Sequence, residues 1–309
     1  MEQRFDIPIL YIVFNRLDVV GQTFQEIKKI KPKQLFIASD GARNNKESIK
    51  VNFIRKFILD NIDWECEVKT LFKKKNVGVN MGTFSAIEWF FKNVKMGIIL
   101  EDDCYPSPSF FRYCKELLIK YETNPKVVTI SGFTPIEVPH RMKESYYFSK
   151  YFGCWGWACW RDKWPGEKLF SSDSEKIIKE GKLNKIIKNP IDRIIFGRRF
   201  KHNLIGKVKD WGDALNLINF KNHEICIKPK NNLISNLGFV KEATNTSNNL
   251  IDKKFLNLKL SELKFPLIHP VKIKINKSLS NKELRTDALR SILKRVLVTI
   301  GIIKYNYKY

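Results

Sequence analysis

Three adjacent carboxylates, Glu101-Asp102-Asp103, are the residues of this chain best suited to chemistry. Side by side they repel one another, and keeping all three ionised is costly unless a cation or hydrogen bonds compensate. A hard divalent cation such as Mg²⁺ or Mn²⁺ prefers oxygen ligands and keeps positions for substrate phosphates. Such an ion would neutralise a departing diphosphate. Acidic clusters are more often solvated turns. This one directly follows the apolar run Ile98-Ile99-Leu100, which puts it at the end of a buried strand.

Other polar groups fall at comparable places. Asn15-Arg16 follows the apolar run Pro8 to Phe14, and Ser39-Asp40-Gly41 follows Gln34 to Ala38. The segment from Asn76 to Gly82 precedes a helical pattern, and its glycines would let backbone approach a ligand. Taken alone it reads as a turn and helix start, with Asn80 as N-cap. Phe152-Gly153-Cys154-Trp155-Gly156-Trp157 sets aromatic rings around two glycines, and its spacing favours a core segment with a turn. Asp210 and Asp213 flank Trp211-Gly212. Either could take a proton from an acceptor hydroxyl, although capping and surface roles are commoner for such residues. The four histidines have no metal-ligand spacing, and no Walker A, GxSxG or HExxH pattern occurs.

The elements that must position these groups alternate. Strand patterns at Pro8–Phe14, Gln34–Ala38, Cys66–Phe72, Met96–Leu100 and Val127–Ile130 are separated by helical patterns at Asp18–Ile30, Ile49–Leu59, Asn80–Phe91 and Ser109–Tyr121. That rhythm predicts an α/β fold, a mostly parallel sheet with helices on both faces, whose ligands bind beyond the carboxyl ends of the strands. Further on, Lys176–Lys188 reads as a basic helix, Asp213–Phe220 as a short helix, Ile225–Lys228 as a strand and Lys241–Asn249 as a loop.

The 309 residues carry a net charge of +24. Fourteen of the 56 Lys and Arg fall between Ile251 and Tyr309, against four of the 32 acidic residues. Within this stretch Leu284 to Ile300 forms an apolar stripe with Arg and Lys mostly off it. Such a helix either binds an anionic membrane surface or docks on its own domain. Without a zinc finger, a helix-turn-helix or an RNA-binding aromatic signature, nucleic acid is not an expected partner. Six cysteines without a CxxC pair read as reduced thiols. No apolar run is long enough to cross a membrane, and no signal peptide is expected. The expected location is cytoplasmic, with peripheral association at the inner face of the cell membrane.

In order and content, the segments from about residue 6 to 250 resemble GT-A-fold, Rossmann-like glycosyltransferases. They look closest to bacterial relatives of the N-acetylglucosaminyltransferase that starts complex N-glycans. The resemblance rests on Pro8–Arg16, Ser39-Asp40-Gly41, Asn76–Gly82, Ile98–Asp103 with Pro106 and Phe110-Phe111, Gly153–Trp157, Asp210–Asp213 and Lys228–Phe239. It implies a domain over 1–250, with 251–309 as a basic C-terminal extension bearing the amphipathic helix. It also implies site roles. Arg16 would contact the donor diphosphate or nucleotide, and Asp40 the base. Asn76 and Gly82 would belong to the donor site, and Glu101 and Asp102 would line the nucleoside and ribose. Asp103 would bind Mn²⁺ or Mg²⁺, and Trp157 would lie in the donor–acceptor cleft. An Asp near Trp211 would be the base of a single inverting displacement. The chain departs from the pattern at Gly212, where the eukaryotic relatives carry an acidic residue, so the base stays open between Asp210 and Asp213. It departs again at Asn245 after Ala243-Thr244, where bacterial relatives often carry His.

The function expected is a metal-dependent, inverting transfer of a hexosyl or N-acetylhexosaminyl group. The donor would be a nucleotide-diphosphate sugar and the acceptor a glycan or lipid-linked molecule in surface polysaccharide synthesis. A sugar-phosphate nucleotidyltransferase would need a basic glycine-rich loop directly after the first strand, and Asn15-Arg16-Leu17 is not one. A non-catalytic carbohydrate- or nucleic-acid-binding protein is the alternative from another class. It would bind without turnover and, for RNA, with a steep salt dependence.

Overall fold

A computed structural model describes residues 4–204, 210–239 and 259–286. The predicted alternation is present. β1 (Ile9–Val13), β2 (Gln34–Ser39), β3 (Glu67–Phe72) and β4 (Met96–Glu101) alternate with α1 (Leu17–Ile30), α2 (Asn45–Asp60) and α3 (Val79–Asn93). These four strands are parallel, in the order β3-β2-β1-β4. Their side chains alternate between two cores, as a period of two requires. Ile9, Tyr11 and Val13 face one core with Ile98 and Leu100, where α1 and α2 bring Phe24, Ile54 and Ile58. Leu10 and Ile99 face the other, with Phe84, Ile87 and Phe90 of α3.

After β4 the chain forms β5 (Cys104–Pro106), α4 (Pro108–Lys120), β6 (Val127–Ser131), β7 (Tyr146–Ser149) and β8 (Trp157–Trp160). It continues through α5 (Ser172–Lys179), α6 (Leu183–Ile186), α7 (Pro190–Leu204) and α8 (Trp211–Asn222) to β9 (Ile225–Pro229) and β10 (Ile234–Asn236). The aromatic-rich stretch therefore yields two strands that no alternation signalled, because both are buried at every position. β8 lies antiparallel between β4 and β6, and completes an eight-stranded order β3-β2-β1-β4-β8-β6-β9-β7. Four of its seven pairings are parallel. β10 pairs antiparallel with β5 in a separate two-stranded sheet.

Local chemistry corrects three boundaries. α2 begins earlier than its apolar pattern because the Asn44 side chain accepts the Glu47 amide while Glu47 Oε2 accepts the Arg43 amide at 2.8 Å. The N-cap of α3 is Gly78, at φ +85°, a backbone angle that suits glycine, and Asn80 lies inside the helix. The basic stretch Lys176–Lys188 is split between α5 and α6 around Gly181, at φ +66°.

Residues 259–286 return to the body of the fold. Leu263 and Leu267 join the first core, and the Glu262 carboxylate accepts the Ser109 amide at 2.9 Å. The Asn276 amide donates to the Phe148 carbonyl on β7 at 2.8 Å, and a helical turn over 277–286 follows. From it Glu283, only 3% exposed, reaches a polar cluster under the sheet. It accepts from Tyr147 Oη at 2.5 Å and Ser149 Oγ at 2.6 Å, and faces Lys228 Nζ at 3.4 Å. Removing one partner of a buried ion pair strands the other charge, which costs about 3–5 kcal/mol. Glu283→Ala should therefore lower Tm by roughly 10 °C. A melt followed by circular dichroism checks this, and a shift within 2 °C of zero would refute it. The apolar stripe beyond Thr286 and the Lys241–Asn249 segment lie outside the described residues.

Candidate active site

The acidic triplet closes β4 at the carboxyl edge of the parallel strands. Asp102 is 5% exposed and tightly fixed. Its Oδ2 accepts the Phe14 amide at 3.2 Å, and its carbonyl accepts Thr23 Oγ1 at 2.9 Å. Arg16, just beyond β1, donates Nη2 to Asp103 Oδ2 at 2.9 Å and pairs through the same nitrogen with Asp102 Oδ1. Part of the compensation that the triplet requires is thus supplied by the chain itself.

A wall of backbone closes the other side. The Leu237 amide donates to the Asp103 carbonyl at 2.8 Å. A Cβ on Gly238 would fall 2.5 Å from Asp103 Oδ2 and 3.1 Å from Arg16 Nη1, so only glycine fits beside this pair. The antiparallel pairing of β10 with β5 sets this approach.

One guanidinium does not balance the site. Burial pushes the Glu101 carboxyl up to about 8, and Asp103, Asp102 and Asp210 add to the rise while Arg16 opposes it. Burial likewise raises Asp102 to about 6, against the pull of Arg16. Asp210 is raised by burial and by Asp213. Glu101, Asp102, Asp103 and Asp210 thus stand close enough to interact, with Arg16 acting on the triplet and Arg199 on Asp210, and a further cation would ease the approach of an anionic diphosphate. Among the described residues no group of three or more His, Cys, Asp or Glu side chains forms a self-contained metal cage. The donor set does fit an ion that takes one or two carboxylates and completes its shell with substrate phosphate and water. Asp103 suits that part, since among the described residues its Oδ1 faces only the weak Cys104 thiol donor, at 3.6 Å.

The two aspartates near Trp211 are separated by their surroundings. Asp213 is 1% exposed, and its Oδ1 accepts Arg199 Nη2 at 2.6 Å. Asp210 caps α8, with Oδ1 accepting the Asp213 amide at 2.7 Å. It is Asp210 that interacts with Glu101. Cys154 interacts with both, its thiol pushed up by burial and then by Glu101 and Asp210, which favours the protonated form.

The other candidates have partners within the chain. Asp40 Oδ1 accepts the Gly41 and Val77 amides at 2.9 and 3.1 Å, and Oδ2 accepts the Val77 and Gly78 amides at 3.1 and 3.0 Å. These bonds engage both oxygens in holding the 76–78 loop. Asn76 Nδ2 donates to the Gly41 carbonyl at 2.7 Å, and a Cβ on Gly82 would touch Asp40 at 3.4 Å. Asn15 Nδ2 donates to Glu47 Oε1 at 2.7 Å. Trp157, 1% exposed, is buried in the second core. It stacks on Trp211 at 5.9 Å and meets Phe152 edge-on at 5.0 Å, because position 157 opens the central strand β8. The half-buried Cys154 of the same segment is the residue that interacts with Glu101 and Asp210. A cavity of about 760 Å³ opens elsewhere, beside Val128, Trp164 and Leu217, and holds none of the candidate residues.

An α/β sheet with an acidic cluster at the carboxyl edge of its parallel strands is the class that the fold and site define. No protein-family model and no curated protein sequence matches the chain. Among solved structures it is similar to S. aureus TarS, at 10% identity over 97% of this chain and 76% of that one, with a TM-score of 0.43. It is also similar to a UDP-glucose pyrophosphorylase complexed with UDP-glucose, at 12% identity over 73% and 90%, TM-score 0.39. A third is mannosyltransferase PcManGT from Pyrobaculum calidifontis in complex with GDP-Man and Mn²⁺, at 11% identity over 52% and 46%, TM-score 0.36. The chain thus covers less than half the length of that mannosyltransferase. At such values the likeness decides nothing about chemistry.

Proposed function

We propose that the protein is a GT-A-type glycosyltransferase that moves a sugar from a nucleotide-diphosphate donor by a single inverting displacement. The observation that carries this reading is the convergence of Glu101, Asp102, Asp103 and Asp210 within interaction range of one another at the end of β4, where Arg16 is the cation that acts on Glu101 among the described residues. Such a site favours a metal-bound diphosphate over a bare anion. Asp103 would hold Mn²⁺ or Mg²⁺, which supplies charge neutralisation to the leaving diphosphate. Asp102, fixed by Phe14 and Arg16, keeps Asp103 in place. Arg16 stands within reach of the phosphates, and the loop clamped by Asp40 shapes the donor side.

Asp210 is the base of this reading. The acceptor hydroxyl oxygen bonds to the anomeric carbon as the bond from that carbon to the diphosphate oxygen breaks, and the hydroxyl proton passes to Asp210. Its raised pKa suits that task, because a carboxylate in a buried, acidic setting holds a proton more tightly than one in water. Asp213, locked to Arg199, positions the start of α8 and with it Asp210.

A thermal-shift screen of nucleotide sugars with and without Mn²⁺ tests the reading. A ligand present at about 100 times its Kd stabilises the native state by about 2.7 kcal/mol, a rise of several degrees. The expected result is a rise for one nucleotide sugar that depends on Mn²⁺ and disappears in Asp103→Ala. No shift with any nucleotide sugar would refute the proposal.

A further inference from the structure

Beside the carboxyl ends of β2 and β3, the protein carries apolar side chains that no described residue covers. On the loop that leaves β3 and on the first turn of α3, Val77, Val79 and Met81 are 45%, 57% and 42% exposed. On the outer face of α2, Ile49 and Phe53 are 74% and 56% exposed, one helical turn apart, while Val51, Ile54 and Ile58 of the same helix face the core. The two surfaces belong to one body. Arg55 of α2 donates to the carbonyls of Asp40 and Lys73 at 2.8 and 3.0 Å, and Asp40 in turn clamps the loop by its amides. The apolar tips are therefore presented on a fixed backbone.

Their surroundings are of one sign. Exposed Lys46 and Lys50 flank Ile49 on α2, and exposed Lys74 and Lys75 lead into the loop. The only carboxylate between Arg43 and Lys56 is Glu47, which is buried against Arg43, and none occurs between Lys73 and Ile87. Aliphatic side chains standing in a field of lysines match the two layers of an anionic bilayer surface. The apolar tips enter the acyl boundary and the ammonium groups stay among the headgroups. A nucleic-acid surface would use the cations but matches the patch less well, because four of its five exposed apolar side chains are Val, Ile and Met, which cannot stack on bases, and Phe53 alone is aromatic.

We infer that this rim, the outer face of α2 together with residues 74–81 at the start of α3, docks the protein on an anionic lipid surface with the carboxyl edge of the parallel strands facing the membrane. The docking surface stands apart from the transferase reading. Only the corollary that the acceptor is met at the bilayer rests on that reading.

The test is co-sedimentation of the full chain with vesicles of phosphatidylcholine, with or without roughly 30% phosphatidylserine. No nucleotide sugar is added, so the outcome is independent of any transferase activity. Binding is expected only with the anionic vesicles. It should weaken about tenfold in Phe53→Ser/Val79→Ser/Met81→Ser, and similarly in Lys46→Glu/Lys50→Glu/Lys74→Glu. All these side chains are exposed, and unchanged melting curves confirm that the variants fold. Three results would overturn the inference. They are equal binding to neutral vesicles or to none, full binding by both triple variants (which places attachment on another surface), and loss in the lysine variant alone together with competition by RNA.

Discussion

Asp210→Asn should lower turnover by about a hundred- to ten-thousand-fold, the usual contribution of a positioned base. The variant keeps the hydrogen-bonding oxygen that caps α8, so the Asp213 amide remains satisfied and the fold should be intact. Because the change touches neither Asp103 nor Arg16, the Mn²⁺-dependent stabilisation by donor should survive, with KM for donor little changed. Asp213→Asn supplies the contrast. It breaks the pair with Arg199 inside a 1% exposed site, so its loss should show first as a lower Tm. Steady-state kinetics and melting curves on both variants separate the roles. Full turnover by Asp210→Asn would remove Asp210 from the chemistry.

Arg16→Ala has the second large effect, and it is conditional on pH. The guanidinium holds down the carboxyl pKa values of Glu101 and Asp102, which burial has already raised to about 8 and about 6. An acid with a higher pKa in the folded state stabilises the fold fully below its unfolded value, and that contribution is lost as pH rises through the folded value. Metal-free wild type should therefore lose stability from these groups between about pH 4 and pH 8. Without Arg16 both folded values move higher and the loss deepens. At pH 8 in chelator the cost should be about 3–5 kcal/mol, or roughly 10 °C in Tm. At pH 5, where protonation relieves the cluster, it should be much smaller. Mn²⁺ should recover part of the loss at pH 8. A deficit independent of both pH and metal would mean that Arg16 acts by packing alone.

The first half of the sheet was legible because β1, β2 and β4 are near-continuous apolar runs set between helical patterns, with β3 following at the expected interval. Glu101-Asp102-Asp103 stood out because polar triplets rarely end such runs. β7 and β8 were not legible, since fully buried short strands have no alternation to read and their aromatic residues resemble a core segment of any kind. The balance of the acidic cluster was hidden for a different reason. Arg16 and Asp102 are 86 residues apart, and only the pairing of β1 with β4 brings them together. Asp40 was singled out for its place after β2, yet its carboxylate serves backbone amides from another loop, which residue type cannot disclose. Gly238 was visible only as part of a longer motif. Its use is the Cβ it lacks, and that appears only once β10 lies against β5.

The return of residues 259–286 also bears on how separate molecules meet. An eight-stranded open sheet has two edges, and each unpaired row of amides and carbonyls invites another chain to add a strand. At one edge β3 places the charged pair Glu67 and Lys69, 3.1 Å apart, where an incoming strand would have to bury them. At the other edge β7 is a run of Tyr, Tyr, Phe and Ser, an inviting template for aggregation. Here the protection comes from the chain's own later residues, with Asn276 bonded to the Phe148 carbonyl and Glu283 fastened to Tyr147 and Ser149. The return segment thus shields the strand edge most prone to self-association, and a chain shortened before it would face its neighbours with that edge bare.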